Sequence, residues 1–434
     1  MKRPLAVVAA LLPAFVLPAT AFAHVTLESA FPETQSTVDA SPTEVRLTFN
    51  ELVTIAPQAI RVLASDGALL SGTARVLDGG RIVVAPVSGL KNGSAYTVRW
   101  QVAGRDGHSP AGVYTFGVGV SPPPPTEAVG AGGTTWRDSL ARWLLFVALA
   151  LLIGPLAMRL LVVGRPLPDR LEQRFHIVGI VAALAAINVG IAAFFIRASN
   201  ALQLPLGDLI YGDLQPFAEK TRFGIAFLVM TVGLGAVAAL LLLAWALDLH
   251  AARWWALVLS ILLASGLSLS GHQATESNAS WMSELADWVH LVGACIWVGG
   301  LVTLALIVWP TAPELRRRAF LGFSRLAMVI VGAMVLAGAY LALVRLPELA
   351  DLWETHYGRL LLLKLGIVSL ALGWGGFHHA FVRPRLEAGV EPRVRPSLIG
   401  EMTVALAVLL AAAVLTNAPP PEEPSSATAV RLSR

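Results

Sequence analysis

An exported all-β domain followed by an all-α, polytopic bundle of about eight membrane-spanning helices is the fold class this sequence predicts. Three observations carry it. Residues 1–23 read as a secretory leader. The next hundred or so residues alternate apolar and polar side chains with a period of two, the mark of half-buried strands. The rest of the chain is a succession of apolar runs, each near the twenty residues that cross a bilayer. Composition agrees: 56% of the 434 residues are hydrophobic and 14% are charged, where soluble domains run near a quarter charged.

The leader has Lys2 and Arg3, an apolar run from Leu5 to Pro18, and a small-x-small cleavage pattern at Ala21-Phe22-Ala23. Cutting after Ala23 makes His24 the first residue of the mature chain and frees its α-amine. In residues 24–120, Val45, Leu47 and Phe49 alternate with Glu44, Arg46, Thr48 and Asn50, and Tyr96, Val98, Trp100 and Val102 repeat the pattern. Ile60–Leu63, Ile82–Ala85 and Val113–Val118 read as further strands, with turns at Asp66-Gly67, Asp78-Gly79-Gly80 and Lys91-Asn92-Gly93. Short strands at this spacing predict a β-sandwich or barrel. Residues 121–136, opening with Ser121 and four prolines, are a stiff linker that spans up to about 45 Å when extended.

Eight apolar runs follow within residues 137–417, at about 137–163, 176–197, 222–248, 253–271, 286–310, 319–345, 358–382 and 397–417. If the leader exports the β domain, the first helix starts outside. The basic loops then fall inside: Arg165, Arg170 and Arg174; Arg253; Arg316, Arg317 and Arg318; Arg383, Arg385, Arg393 and Arg395. Acidic Asp208, Asp213, Glu276, Glu284, Glu348, Asp351 and Glu354 fall outside, as does the tail 418–434. The net charge of +4 is thus a membrane-topology signal and not a nucleic-acid footprint.

A terminal His24 offers an amine and an imidazole on one residue. In Arg105-Asp106-Gly107-His108, Asp106 and His108 are two apart and share a face if the segment is extended. Together they supply the N/O donors that suit tetragonal Cu(II), although Asp-Gly-His alone also fits an ordinary turn. The single cysteine, Cys295, excludes an intramolecular disulfide and a thiolate-rich metal site. No phosphate-binding glycine loop occurs, so ATP is not an expected partner, and nothing points to hydrolysis or group transfer; the chain is not expected to be an enzyme.

These residues carry a resemblance. His24 with the opening Val25-Thr26-Leu27-Glu28-Ser29-Ala30-Phe31-Pro32, and Asp106-Gly107-His108 ahead of Gly112-Val113-Tyr114-Thr115-Phe116, resemble the CopC copper-resistance family. The membrane part resembles CopD in His290–Leu301, in Phe323-Ser324-Arg325-Leu326-Ala327, in Tyr357-Gly358-Arg359-Leu360 running into Lys364, and in a last helix with Glu401 and Leu415-Thr416-Asn417. A CopC–CopD fusion implies a periplasmic Greek-key domain of cupredoxin or immunoglobulin-like type that binds copper, joined to a membrane protein implicated in copper import. Carried over, the ligands are His24, Asp106 and His108. Some CopC proteins hold a second, Cu(I) site on a Met-rich loop; residues 24–120 contain neither Met nor Cys, so Cu(II) alone is expected here. A periplasmic copper donor is the remaining candidate partner.

Intramembrane ionisable groups default to functional hypotheses. His272, His290 and His356, with Glu276, Met282 and Asp287, form a candidate outer copper entrance or else anchor helix ends. His290 is expected about one turn into its helix, where Gly293, Trp297 and Gly300 share its face; the glycines are expected to admit another helix, and Cys295 lies off that face. His176, His378 and His379 are candidates for inner release or simply mark the interface. Arg325 and Glu401 are expected to neutralise one another, with a proton relay as the alternative. Met328 and Met334 are soft ligands on a path or packing. The competing functions are a haem-ligating redox protein, with His272 and His290 as an axial pair, and a membrane-anchored copper buffer.

Overall fold

The structure, a computed structural model, describes residues 25–104, 110–123, 136–164, 167–202, 222–269, 280–346, 348–390 and 392–418. Among them the N-terminal part is a sandwich. One sheet runs in the order β1 (Leu27–Phe31), β3 (Glu44–Phe49), β7 (Ile82–Pro86), β6 (Arg75–Leu77). The second runs β2 (Thr37–Val38), β10 (Ala111–Val118), β8 (Ser94–Gln101), β5 (Ile60–Leu63). A two-stranded ribbon joins β4 (Val53–Thr54) to β9 (Ala103–Gly104). Of the two outcomes the alternation allowed, this is the sandwich.

The alternating residues do what their period requires. Val45, Leu47 and Phe49 of β3 are fully buried and share a core with Ile60, Val62, Val83, Ala85, Val98 and Phe116. Alternation fails on β10, where Tyr114 through Val118 are all buried. The cause is a cover on the second face. Thr115 Oγ1 donates to the Pro123 carbonyl, 2.6 Å away, and Gln35 N donates to the Thr115 carbonyl at 2.8 Å. The start of the linker is strapped to the sandwich.

Among the described residues, eight helices are long and apolar enough to cross a membrane. They are α1 (Trp136–Ala157), α2 (Asp169–Leu202), α3 (Arg222–Ala246), α4 (His250–Leu263, whose apolar span runs on to Leu267), α5 (Trp281–Val302), α6 (Arg316–Arg345), α7 (His356–Phe377) and α8 (Arg395–Asn417). Two start earlier than hydropathy indicated. α2 begins at Asp169, with Asp169 and Glu172 in its first turn, so Arg170 and Arg174 lie on the helix and not in a loop. α5 begins at Trp281, where the Ser280 side chain accepts from Ser283 N. Polar first turns are good helix starts and poor hydropathy, because carboxylates and hydroxyls satisfy the free N–H groups there.

α1 and α5 form the centre. A Cβ on Gly299 would collide with the Ala150 carbonyl, and one on Gly154 with the backbone of Gly299, so the two helices meet backbone to backbone. Gly293 and Gly300 do admit a helix, as expected: Met334 lies against the first and Phe323 against the second, both from α6. Indoles tie other neighbours, Trp143 Nε1 to the Leu406 carbonyl at 3.1 Å and Trp288 Nε1 to the Ile261 carbonyl at 2.9 Å. At the basic end α1, α5 and α7 pass into π-helical turns at Met158–Val163, Thr303–Val308 and His378–Val382.

An ion cluster at that end was invisible in the sequence. Glu172 accepts from Arg159 Nε at 2.9 Å, pairs with Arg253, and lies 3.9 Å from His176 Nε2. Arg159, His176 and Arg253 are all buried. Arg253 is therefore a packed counterion between α4 and α2 as well as a topology marker, and His176 belongs to this tie.

Candidate functional site

His24, Asp106 and His108 lie outside the described residues; their described neighbours do not. Thr26 N donates to Asn50 Oδ1 at 2.8 Å, and Asn50 N donates back to the Thr26 carbonyl at 3.2 Å. Three residues on, Val53 pairs with Gly104, the last described residue before Asp106. Thr26 and the strand that ends at Gly104 are thus fixed to the two ends of one short loop, residues 50–53. Trp100 stands nearby. Its indole covers Gly112, its partner across β8 and β10, where a Cβ would come within 2.7 Å of the ring. The edge of Phe49, the residue before Asn50, meets Trp100 with ring centroids 5.4 Å apart.

In the bundle, His272 and Glu276 lie outside the described residues, and with them one member of the axial pair a haem would need. His290 is described, and it is deeper than one turn. α5 starts nine residues before it, which puts it about 13 Å along the helix, close to the middle of a bilayer. Its Nδ1 lies 2.9 Å from the Met334 carbonyl on α6. A carbonyl only accepts, so Nδ1 carries the hydrogen and Nε2 presents its lone pair. Nδ1–H held by a backbone carbonyl, with the lone pair on Nε2, is the tautomer that ligating histidines use. Gly338 makes the room: a Cβ there would sit 3.1 Å from His290 Cε1. Met334 therefore supplies two things beside this ring, its carbonyl and a thioether lying along Gly293, one turn from His290.

Charge surrounds the ring. Lys364 of α7, Arg345 of α6 and Asp287 of α5 interact with it electrostatically, two cations to one carboxylate. His356 is exposed at the first residue of α7, eight residues or about 12 Å from Lys364. The structure thus brings His290 together with Met334, Asp287 and Lys364, and leaves His356 at the helix end. Among the described residues no group of three or more His, Cys, Asp and Glu is placed to hold a metal ion. Met282 is exposed at the start of α5, and Met328, 49% exposed, faces away from the bundle. Cys295 is fully buried in the core.

Two expectations are corrected at the basic end. Arg325 does not neutralise Glu401. It is exposed on α6 and its Nε donates to the Leu321 carbonyl at 3.3 Å. Glu401 instead meets His378, Nδ1 to Oε2 at 2.7 Å. His378 is accordingly buried and no interface marker, whereas His379 points out beside Arg383, with 3.5 Å between Nδ1 and the guanidinium. Helical spacing places residues on one helix but not across two, and nothing local to His378 or Glu401 announces the pair.

Comparison with known proteins fits this architecture. Residues 27–119 match the CopC domain model, 134–282 the copper resistance protein D-like N-terminal domain, and 317–415 copper resistance protein D. The chain is 27% identical to the copper transport protein CutJ of Bacillus subtilis over 437 aligned residues, covering 94% of this chain and 76% of that one. It is 30% identical to copper resistance protein D of Pseudomonas syringae pv. tomato over 218 residues, covering 46% of this chain and 68% of that one. Among solved structures, CopC from Methylosinus trichosporium OB3b is 32% identical, covering 24% of this chain and 99% of its own, with a TM-score of 0.20. PcoC from Escherichia coli, described as a methionine-rich copper resistance protein, is 24% identical, covering 22% and 99%, also with a TM-score of 0.20. A β-sandwich carried on eight apolar helices with these matches defines a protein of the copper transport and resistance class. The chain belongs to the copper resistance protein D family, in the form that carries a CopC domain ahead of its helices.

Proposed function

We propose that this chain captures Cu(II) on an exported β domain and passes copper inward across the bacterial inner membrane. His24, through its amine and imidazole, with Asp106 and His108, forms the capture site. The observation that carries this reading is the convergence on residues 50–53. Thr26 and Gly104 are fixed at either end of a loop no longer than about 10 Å. His24 and Asp106 each lie two residues beyond those anchors in the chain, a reach of about 7 Å, long enough to span the loop between the anchors. The absence of Met and Cys from residues 24–120 favours Cu(II) over Cu(I), in contrast to the methionine-rich relative.

The orientation rests on the leader and on the arginines of the basic end, which face the cytoplasm in this reading. The linker lets the β domain reach the outer ends of the helices. His290 Nε2 then receives copper near the midplane, with the Met334 thioether as a soft neighbour. Lys364 and Arg345 repel a bare cation, so Asp287 is needed beside His290 to offset them.

Copper accumulation in cells with and without the protein tests the direction. Higher accumulation with the protein supports import, and lower accumulation overturns it. His290→Ala, at matched membrane levels, should abolish uptake and leave Cu(II) binding by the β domain intact. His24→Ala should lose capture and keep some uptake at high external copper. Uptake by His290→Ala equal to that of the unmodified protein removes His290 from the path.

A further inference from the structure

The pair His378–Glu401 has no part in the copper path above, and its chemistry is unusual for a helix interface. Each side chain is about 5% exposed. His378 Nδ1 meets Glu401 Oε2 at 2.7 Å, and His378 Nε2 meets Ser397 Oγ at 2.8 Å. Trp374 Nε1 donates to the same Oγ at 2.9 Å. An indole N–H only donates, so it takes one lone pair of Ser397 and leaves the hydroxyl hydrogen free to turn.

That freedom gives the pair two hydrogen-bonded states differing by one proton. In the loaded state Nε2–H donates to Ser397 Oγ, and a second proton lies between Nδ1 and Oε2; the pair is neutral overall. In the unloaded state the Nε2 proton has left, the Ser397 hydroxyl turns and donates to Nε2, and Nδ1–H donates to the carboxylate; the pair carries one negative charge. No ring nitrogen, indole N–H or Oε2 loses its partner in either state. A buried group normally resists such a change because one state leaves a polar atom orphaned. Here the serine rotor lowers that penalty, because only the hydroxyl hydrogen of half-buried Ser397 changes its direction between the two states.

Other charged groups lie around the pair. α6 brings Arg316, Arg317, Arg318 and Arg325 to this end of the bundle, together with Phe320, whose ring meets His378 edge-on with 6.0 Å between centroids. The last turns beyond α7 bring His379, Arg383, Arg385 and Glu387, the last paired with Arg383 at 2.8 Å, and α8 brings Arg395. α1 and α5 carry their charged groups, Arg137, Asp138, Arg142, Glu284, Asp287 and His290, towards the other end; beyond α1 Arg159 is paired with Glu172, and Cys295 on α5 is buried in the core. The helix also departs from α geometry at His378, where the π-helical turns begin, a local irregularity that accompanies functional positions in helices.

We propose that His378, Glu401 and Ser397 form a proton-binding site that takes up and releases one proton as copper crosses, making the proton the coupling ion. This rests on the transport reading above. The test uses the full-length protein in liposomes with copper outside and a pH-sensitive dye inside. The unmodified protein should move protons whenever it moves copper. Glu401→Gln, which keeps the shape but cannot ionise, should lose the copper-dependent proton signal and the pH dependence of any remaining uptake. Proton movement per copper unchanged in Glu401→Gln overturns the proposal, as does copper uptake without proton movement in the unmodified protein. If the unmodified protein moves no copper, the transport reading fails, and infrared titration of the same liposomes judges the site alone. A carboxyl and imidazole protonation change between about pH 5 and 9, shifted by isotope-labelled histidine, supports the site. No such change overturns it, and this measurement needs no variant to fold.

Discussion

His290 on α5 donates from Nδ1 to the main-chain carbonyl of Met334 on α6, across 2.9 Å. The bond fixes the ring and leaves Nε2 to present its lone pair, and Gly338 is the residue that lets the ring in. Gly338→Val should therefore displace His290 without touching its chemistry. Copper uptake by Gly338→Val is expected to fall towards that of His290→Ala, with membrane levels unchanged on a quantitative blot. Uptake that stays at the level of the unmodified protein would show that the ring position is immaterial.

Trp100 is the single tryptophan between residues 24 and 120, and it stands next to Phe49 and Gly112 at the end of the sandwich where the proposed ligands meet. Cu(II) added to the β domain should quench its fluorescence, saturating at about one ion per domain. One extra residue ahead of His24 removes the free amine and should weaken binding greatly while leaving the unfolding transition unchanged. Binding should also weaken as pH falls, because the amine and both imidazoles must lose protons to bind. Equal affinity in the extended protein would exclude the amine as a ligand.

Tyr114 is 2% exposed and its hydroxyl has no hydrogen-bond partner among the described residues. Burial pushes the phenol well above its ordinary value near 10. The folded state therefore binds the phenol proton more tightly than the unfolded chain does. The stability this represents is complete below the unfolded value and is lost as pH rises above about 10. Tyr114→Phe should remove that alkaline loss and, by deleting an orphaned hydroxyl, raise stability at neutral pH by about 1 kcal/mol. Chemical denaturation of the β domain at neutral and alkaline pH measures both. A large destabilisation would mean that the hydroxyl has a partner after all.

Glu172 is the counterion of both Arg159 and Arg253. Glu172→Gln takes the carboxylate from buried Arg159 and leaves buried Arg253 only the exposed Asp248, 3.6 Å away, which should cost about 3 kcal/mol. A lower melting temperature in detergent and a lower yield in membranes are the expected readings. Replacing Glu172 and Arg253 together by Met should recover part of the loss, since a packed apolar pair needs no counterion.

What the sequence shows and what it conceals divide along physical lines. Val45, Leu47 and Phe49 declare a buried strand face because burial acts on each residue separately. The eight spans are equally plain, because crossing a bilayer constrains every residue of a run. The true starts of α2 and α5 are hidden, since Asp169, Glu172 and Ser280 cap helices with the polarity that marks loops. Pairing between helices is hidden altogether. Glu172 and Arg253 belong to different helices, as do His378 and Glu401, and a charge count fits a loop arginine and a packed one alike. The residue types at His24, Asp106 and His108 are legible as a donor set, and the anchors Thr26–Asn50 and Val53–Gly104 add the reason they can meet.

The backbone contact of Gly154 with Gly299 bears on how this protein is made. Gly299 leaves the ribosome 145 residues after Gly154. Until then, the small-residue side of α1 has no permanent neighbour, and lipid chains must fill it. α5 can take its seat only by displacing those lipids from a gap one glycine wide, so the bundle closes late, after α2, α3 and α4 have been inserted. A bulky residue at either glycine would therefore strike during assembly, stranding a chain whose individual helices are all correctly threaded.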